Sequence, residues 1–235
     1  MGIFTYHVTK LSFFQTLKVL VLPLKPKSVE GLIYAETMSA MVLGSPIFSK
    51  SRFFSKEIVV FAQWDSEVVF DSFIVNDSFG KLLAKGWFTK LEFVRQWGSV
   101  SGFKIPEIPD GVLLDSHPVV AITIARMKYT QISRFLRWGR PVEKLVRDHP
   151  GTSQSLASIR YPNTISTFSI WNTLKEMTDM VNGHSNVPKP KRHIDAMKER
   201  DRKDFHFEFT TLRFKPIAEF GMWNGKSDLI PKIQN

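Results

Sequence analysis

The second half of the chain alternates between two hydrophobic periodicities. Residues 118–127 are apolar and β-branched, which predicts a strand. Apolar residues three and four positions apart follow, and they predict a helix that ends at 148–151. Gly139-Arg140-Pro141 within this stretch predicts a kink or a restart of the helix. Two strands, 155–161 and 164–171, are then predicted to form an antiparallel hairpin, because a Pro-Asn turn signal separates them.

A second helix and a closing strand complete this half. Thr173 and Glu176 have the spacing of a capping box, in which each side chain accepts a hydrogen bond from the other residue's backbone. A basic loop at 186–192 leads to a helical stretch at 193–202, and alternation at 205–214 predicts the last strand. The resulting order, β-α-β-β-α-β, is that of a ferredoxin-like unit.

The first half of the chain follows the same order. Its strands are predicted near 3–9, 32–42, 57–64 and 86–97, and its helices near 12–22 and 66–84. Three segments also recur in the same order in both halves: 9–20 with 125–136, 60–67 with 167–174, and 85–93 with 203–211. The sequence therefore predicts an α+β fold made of tandem ferredoxin-like βαββαβ repeats.

The predicted units divide the chain into four parts. Residues 1–102 form the N-terminal half, 103–117 the linker, and 118–217 the C-terminal half, in which we expect the active site. Residues 218–235 form the C-terminal tail, of which 222–235 is predicted to be polar with little to bury.

The charge and the cysteine content limit the chemistry. The net charge is +10, which favours polyanions, acidic membrane surfaces and carboxylate-bearing ligands as partners. The absence of cysteine excludes disulfides, thiolate catalysis, iron–sulfur clusters and cysteine-based zinc sites, and it makes the cytoplasm the expected location. No phosphate-binding glycine loop, serine-hydrolase elbow or HExxH motif is present, which argues against nucleotide-dependent, serine-hydrolase and zinc-protease chemistry.

The apolar segment 11–24 does not have the features of a signal peptide or a membrane span. It contains Lys18 and Pro23, and it is too short to cross a bilayer. An apolar helix flanked by lysines could still lie on an anionic membrane, so a peripheral membrane contact is an alternative.

Three short motifs carry a resemblance to a known family. They are Phe168-Ser-Ile-Trp171, His193-Ile-Asp-Ala-Met197 and the opening Phe4-Thr-Tyr-His-Val8 with the amphipathic segment after it. In this order the motifs resemble the spheroidene monooxygenase family. The resemblance implies a pseudo-dimeric α/β barrel, haem-dependent insertion of oxygen into a long apolar isoprenoid or carotenoid-like substrate, and a haem-ligating histidine in the C-terminal half.

The resemblance also assigns roles to individual residues. By position, the axial ligand of haem b would be His193, which is the one metal ligand expected. The expected pocket walls are Trp171, Met177 and Met197, and the expected partners of the haem propionates are Lys191, Arg192, Arg126 or Arg213. An electron donor is a further expected partner, and the chain is expected to form a homo-oligomer.

The chain departs from the family pattern beside this site. Asp204-Phe205-His206 replaces the family's Gly-Trp-Phe, and the loop 186–192 is more basic than usual. His206 and Glu208 alternate on the closing strand, so we expect both side chains on one face, as a catalytic acid/base pair, as a metal-binding pair or as a hydrogen-bonded structural couple. For His193 the alternative is a solvated residue beside two cations.

Two other classes of function stay open. A cofactor-free barrel monooxygenase or a small-ligand-binding protein would use a cavity between sheet and helices, and a pure interaction module is a further alternative. RNA binding is suggested by the topology and by the segment 85–93, which opens like an RNP1 motif. That segment is predicted to be the fourth strand rather than the third, so we expect no nucleic-acid partner. The function we predict is that of a monooxygenase-type oxidoreductase.

Overall fold

A computed structural model describes residues 2–45, 56–104 and 113–232, in which eight strands and six helices are found. The strands are β1 (Ile3–Lys10), β2 (Leu32–Met41), β3 (Glu57–Trp64), β4 (Trp87–Ser99), β5 (Val119–Met127), β6 (Thr152–Arg160), β7 (Thr164–Trp171) and β8 (His206–Phe220). The helices are α1 (Phe13–Val21), α2 (Glu67–Asn76), α3 (Ser78–Leu83), α4 (Ile132–Asp148), α5 (Leu174–Val181) and α6 (Arg192–Arg202). Much of the predicted linker, 105–112, lies outside the described residues.

The eight strands close into one antiparallel barrel in the order β1-β3-β2-β6-β7-β5-β8-β4. The predicted α+β class is confirmed, and the order strand, helix, strand, strand, helix, strand is found twice along the chain. The idea that the halves are two copies of one unit stays a prediction. The halves meet at two seams: β4 pairs with β8 from Phe88 to Ser99, whereas β2 pairs with β6 only from Ser39 to Met41.

The barrel interior is filled by aromatic side chains. Phe4, Tyr6, Phe61, Phe168 and Phe214 are almost completely buried there. Tyr6 on β1 stacks on Phe168 on β7 with ring centroids 3.9 Å apart, so rings from the two halves meet directly across the barrel. Burial of these rings supplies a large share of the hydrophobic stabilisation.

The expectation that the C-terminal tail buries little is wrong. Trp223 and Leu229 are buried and belong to the same core cluster as the barrel interior. Glu219 explains how the tail is held there, because its carboxylate accepts hydrogen bonds from the Trp87 indole and from the backbone N–H groups of Leu229 and Ile230. The tail is therefore part of the folded barrel.

Local capping sets where the helices begin. The sequence predicted one helix over 66–84, but the chain breaks at Asp77, whose carboxylate accepts hydrogen bonds from the backbone of Phe79 and Gly80 and so starts α3. Thr173 caps α5 as expected, because its hydroxyl oxygen accepts a hydrogen bond from the Glu176 backbone N–H. The Glu176 carboxylate accepts a hydrogen bond from the Thr173 hydroxyl, and not from the Thr173 backbone as the capping box predicts.

Helix α4 runs through Pro141 from Ile132 to Asp148, where a kink or a restart was predicted. A proline inside a helix removes one backbone hydrogen bond, and this helix continues on both sides of that gap. Among the described residues, no helix combines the length and the apolar character that crossing a membrane requires.

Gly98 is expected to be essential for closing the barrel at the β4–β8 seam. Gly98 and Gly225 both have left-handed backbones, with φ of +73° and +76°. A Cβ at Gly98 would lie 2.2 Å from the Phe209 carbonyl oxygen, whereas one at Gly225 would meet nothing within 4 Å. Gly225→Ala should therefore cost about 1 kcal/mol through backbone strain alone. Gly98→Ala should cost about 2 kcal/mol more, because the seam must also shift.

Urea unfolding of the two variants measures this difference, with Gly225→Ala as the matched control for backbone strain. Equal losses in the free energy of unfolding would contradict the assigned register of the seam.

Candidate functional site

The second half of the barrel has a row of three threonines on its helix-facing side. Thr123 on β5 pairs with Thr167 on β7 and with Thr211 on β8, and all three are partly exposed although helices lie over this sheet. Ala121 beside Thr123 is partly exposed as well. Solvent therefore reaches the sheet in this region. We name the space between these strands and α4 to α6 the cleft.

The corresponding layer of the first half is closed. Ile58, Val60 and Ala62 on β3 have no exposed surface, and Trp64 and Phe70 complete one continuous cluster with them. Aromatic residues such as Trp64, Phe70 and Phe88 fill this layer and bury its smaller residue Ala62 as well. The two halves thus share a topology but differ in whether a ligand has room.

Two apolar clusters border the cleft. At one end, Phe135 and Trp138 of α4 pack on Ala125 and Met127. At the other end, the α5 residues Met177 and Met180 belong to a cluster with Val119, Trp171 and Leu145. The helix-facing layer of this half is therefore divided, with the threonine row between its parts.

His193 is the second residue of α6 and is partly buried. Its ring Nδ1 lies 3.0 Å from the Val181 carbonyl oxygen at the end of α5, so Nδ1 carries the proton and donates it. Burial lowers the pKa of His193, which keeps the imidazole neutral at pH 7. Nε2 has no protein partner among the described residues, which leaves its lone pair available to a metal or to a donor.

His206 at the start of β8 is arranged in a similar way. Its Nδ1 lies 3.1 Å from Asp204 Oδ1, and its buried Nε2 has no hydrogen-bond partner in the described part of the chain. The rings of Phe135 and Phe209 surround it. Burial outweighs the carboxylate and lowers the pKa of His206 to about 4, so this imidazole is also neutral at pH 7.

The expectation that His206 and Glu208 share one face is wrong. The register of β5 and β8 shifts between the pairs Arg126↔Glu208 and Met127↔His206, as at a β-bulge. Glu208 therefore points with Arg126 to the barrel interior, whereas His206 points with Met127 to the helices. The two side chains do not form an acid/base pair.

Arg126 does not lie in the cleft either. It forms ion pairs with Glu208 and with the buried Glu36 at one end of the barrel. Glu36 also accepts a hydrogen bond from the Tyr34 hydroxyl at 2.8 Å and pairs with Arg160 at 3.1 Å. The charge of Arg126 is thus compensated by protein carboxylates, and the expectation that it meets a haem propionate is not supported by its position.

Two pockets lie beside the short β2–β6 seam. One of about 300 Å³ is lined by the Tyr34, Glu36, Arg126 and Arg160 group at one end of the barrel. The other, of about 420 Å³, lies near Met41, Arg147 and Trp223 at the opposite end. Both flank the place where the two halves are least connected.

The remaining predicted residues are divided between core and helix surface. Trp171 is buried in the apolar cluster at one end of the cleft, and its indole N–H donates to the Ser169 hydroxyl at 2.9 Å. Arg192 and Met197 lie on α6 with His193, and Met197 is four residues from His193 and so on the same helix face. Within the described ranges, no group of three acidic, histidine or cysteine side chains could hold a bare metal ion.

Sequence reasoning missed the threonine row and the Asp204 partner of His206. A signal for the row is visible in hindsight, because β5 and β7 alternate large apolar residues with alanine, serine and threonine, unlike β3. Asp204 was visible only as a departure from a family motif.

Comparison with family models and with curated proteins finds no match. Among solved structures, an aldoxime dehydratase in complex with butyraldoxime is similar over 97% of this chain and 84% of its own, with a TM-score of 0.53 and 10% identity. A monooxygenase-like protein from Listeria innocua aligns over 92% and 96% of the two chains, with a TM-score of 0.29 and 12% identity. A heme-degrading enzyme from Listeria monocytogenes aligns over 90% of this chain and 99% of its own, with a TM-score of 0.30 and 11% identity. The likeness to the aldoxime dehydratase shows a shared fold.

His7 gives a test of the charge state of buried imidazoles. It lies in the closed layer of the first half, fully buried between Phe70 and Phe88, with neither ring nitrogen hydrogen-bonded among the described residues. Burial lowers its pKa to about 3, whereas an unfolded histidine titrates near 6.5. The unfolded state therefore binds the extra proton first, and stability falls as pH falls below about 6.5.

His7→Leu should remove this loss. Relative to wild type, the variant should gain about 1.4 kcal/mol in the free energy of unfolding for each pH unit from about 6.5 toward 4. Urea unfolding at pH 7.5 and 5.5 measures the gain, and other titrating groups cancel because both proteins contain them. A difference that does not change with pH would show that His7 is not held neutral.

Proposed function

We propose that the protein binds haem b in the cleft with His193 as the axial ligand, and that it is a monooxygenase-type oxidoreductase acting on an apolar substrate. The observation that carries the proposal is the state of His193. Its Nδ1 donates to a backbone carbonyl and its neutral Nε2 is left without a protein partner. A histidine that ligates iron needs this tautomer and this fixed ring orientation.

The residues around the cleft fit a flat macrocycle. The floor consists of small, partly exposed threonine and alanine side chains, and the apolar clusters at both ends would provide aromatic and methionine contacts. One axial ligand is sufficient for haem, so the absence of a three-ligand metal group in the described residues does not count against it. When bound, the haem would supply the oxygen chemistry.

The side chains of this chain would have distinct tasks. His193 would hold the iron, and Met197 one turn further along α6 would contact the macrocycle. The rings of Phe135 and Trp138 would exclude water from the substrate. His206 would accept a hydrogen bond from the substrate at Nε2, because burial keeps this imidazole neutral and Asp204 fixes its orientation.

The finer assignment is also a proposal. The motifs 168–171 and 193–197 support a relative of spheroidene monooxygenase that acts on an isoprenoid or carotenoid-like substrate, with two halves that are copies of one ferredoxin-like unit. A cytoplasmic location, an electron donor and a homo-oligomer belong to the same proposal.

A second candidate function is favoured by His206. A buried, neutral imidazole, oriented by a carboxylate and surrounded by aromatic rings, would position an apolar substrate in a cofactor-free monooxygenase by accepting a hydrogen bond at Nε2. This function would use the same side of the sheet but would not need His193.

A hemin titration tests the proposal. Wild-type protein should give a shifted Soret band with a one-to-one end point, and His193→Ala should lose that band or weaken hemin binding at least about tenfold, because the axial bond is removed. His184→Ala is the matched control, since His184 is an exposed histidine between α5 and α6 and should bind hemin like wild type.

The opposite outcomes are equally clear. A His193→Ala protein with the wild-type spectrum would refute the assignment of the ligand. Wild-type protein that leaves the hemin spectrum unchanged would refute haem binding and favour the cofactor-free function. In that case a loss of substrate turnover in His206→Gln, with the fold retained, would support the positioning role of His206.

A further inference from the structure

Two arginines lie side by side on the outer face of the barrel at the β4–β8 seam. Arg95 on β4 pairs in register with Arg213 on β8. The guanidinium carbons lie 4.5 Å and 4.4 Å from the ring centroid of Trp97. Cation–π contacts to one indole therefore hold both cations in place.

Neither cation is neutralised by the protein in the ranges that the structure describes. No hydrogen bond or ion pair of the Arg95 or Arg213 side chain is found there. On the same strands, Glu92 lies 3.7 Å from Lys215, and Glu208 pairs with Arg126. The pKa of Arg213 is lowered by burial and by the charge of Arg95. Arg95 is exposed and Arg213 is half-buried, so solvent screens part of their repulsion, and an anion bound between them would relieve the rest.

These arginines lie on the same side of the sheet as the cleft. Arg213 pairs with Ala121, and Thr211 links Trp97 to Thr123. One or two strand spacings, about 5–10 Å, therefore separate the guanidinium groups from the floor of the cleft. Trp97 is 37% exposed, so its ring is open to a ligand that leaves the cleft at this edge.

We infer that Arg95 and Arg213, held by Trp97, bind a carboxylate of the molecule that occupies the cleft. The ligand is then a flat or extended apolar molecule with at least one acid group at its edge. Guanidinium forks match the planar carboxylate and bind it with two parallel hydrogen bonds. The inference rests on the proposed function for the location of the ligand. Of the anion partners expected from sequence, it keeps Arg213, adds Arg95 and leaves out Arg126, which pairs with Glu36 and Glu208.

The carboxylate could belong to a porphyrin or to an acidic substrate, and two arms of one experiment distinguish them. In the first arm, hemin and hemin dimethyl ester are titrated into wild-type protein and into Arg95→Gln/Arg213→Gln, followed by the Soret band. Wild type should bind the acid at least about tenfold more tightly than the ester, and the double variant should lose this preference. In the second arm, palmitate and hexadecanol are compared in the same proteins by quenching of tryptophan fluorescence.

Matched variants distinguish binding by the planar guanidinium groups from attraction by positive charge in general. Arg137→Gln removes an exposed arginine from α4 and should keep the preference for the acid. Arg213→Lys keeps the charge but loses the planar fork, and it should bind the acid with an intermediate affinity. A melting temperature within a few degrees of wild type shows that each variant is folded.

The outcomes of this proposal and of the proposed function differ. Arginine-dependent palmitate binding without any hemin binding supports the carboxylate site and refutes haem. Hemin binding that is equal for the acid and the ester, together with equal palmitate and hexadecanol binding, refutes the carboxylate site and leaves haem intact. Binding of neither ligand class refutes both.

Discussion

Closure of the barrel is the constraint on which the rest of the structure depends. Because the strands of both halves pair at two seams, their inner faces must pack against each other, and rings such as Tyr6 and Phe168 meet at 3.9 Å across the centre. A flat ligand cannot enter a space that these rings fill. Binding is thereby confined to the helix-facing side of the sheet and to the ends of the barrel.

The helix-facing layers show how one topology gives two different surfaces. Where β3 carries Ile58, Val60 and Trp64, the layer is dry and serves stability. Where β5 carries Ala121 and Thr123, the helices stand over a floor of small side chains that solvent reaches. Closure fixes the position of both layers, and they differ in what packs over them: aromatic residues such as Phe70 and Phe88 bury the first, whereas the threonine row of the second stays partly exposed.

Much of the fold could be predicted from the sequence because strands and helices leave periodic patterns. The errors lie where a local interaction overrides the pattern: the Asp77 cap divides a predicted helix, and a bulge at the start of β8 separates His206 from Glu208. The C-terminal tail was predicted to bury little because it is polar. In the structure Glu219 accepts hydrogen bonds from the tail backbone, and Trp223 is buried in the core. Arg126 could not be placed from sequence, because its partner Glu36 lies 90 residues away in the chain.

The histidines differ in how many ring nitrogens their hydrogen bonds occupy. His149 uses both ring nitrogens, with the Gly151 backbone and the Ser185 hydroxyl, and so has nothing left to offer a ligand. Among the described residues, His7 uses neither, so no contact found there fixes its tautomer. In the same part of the chain, His193 and His206 each use Nδ1 alone, to a carbonyl and to a carboxylate, which orients the ring and directs a neutral Nε2 away from the protein partner. Both of these histidines belong to the half in which the threonine row is partly exposed, so the oriented lone pairs and the accessible part of the sheet lie in the same half.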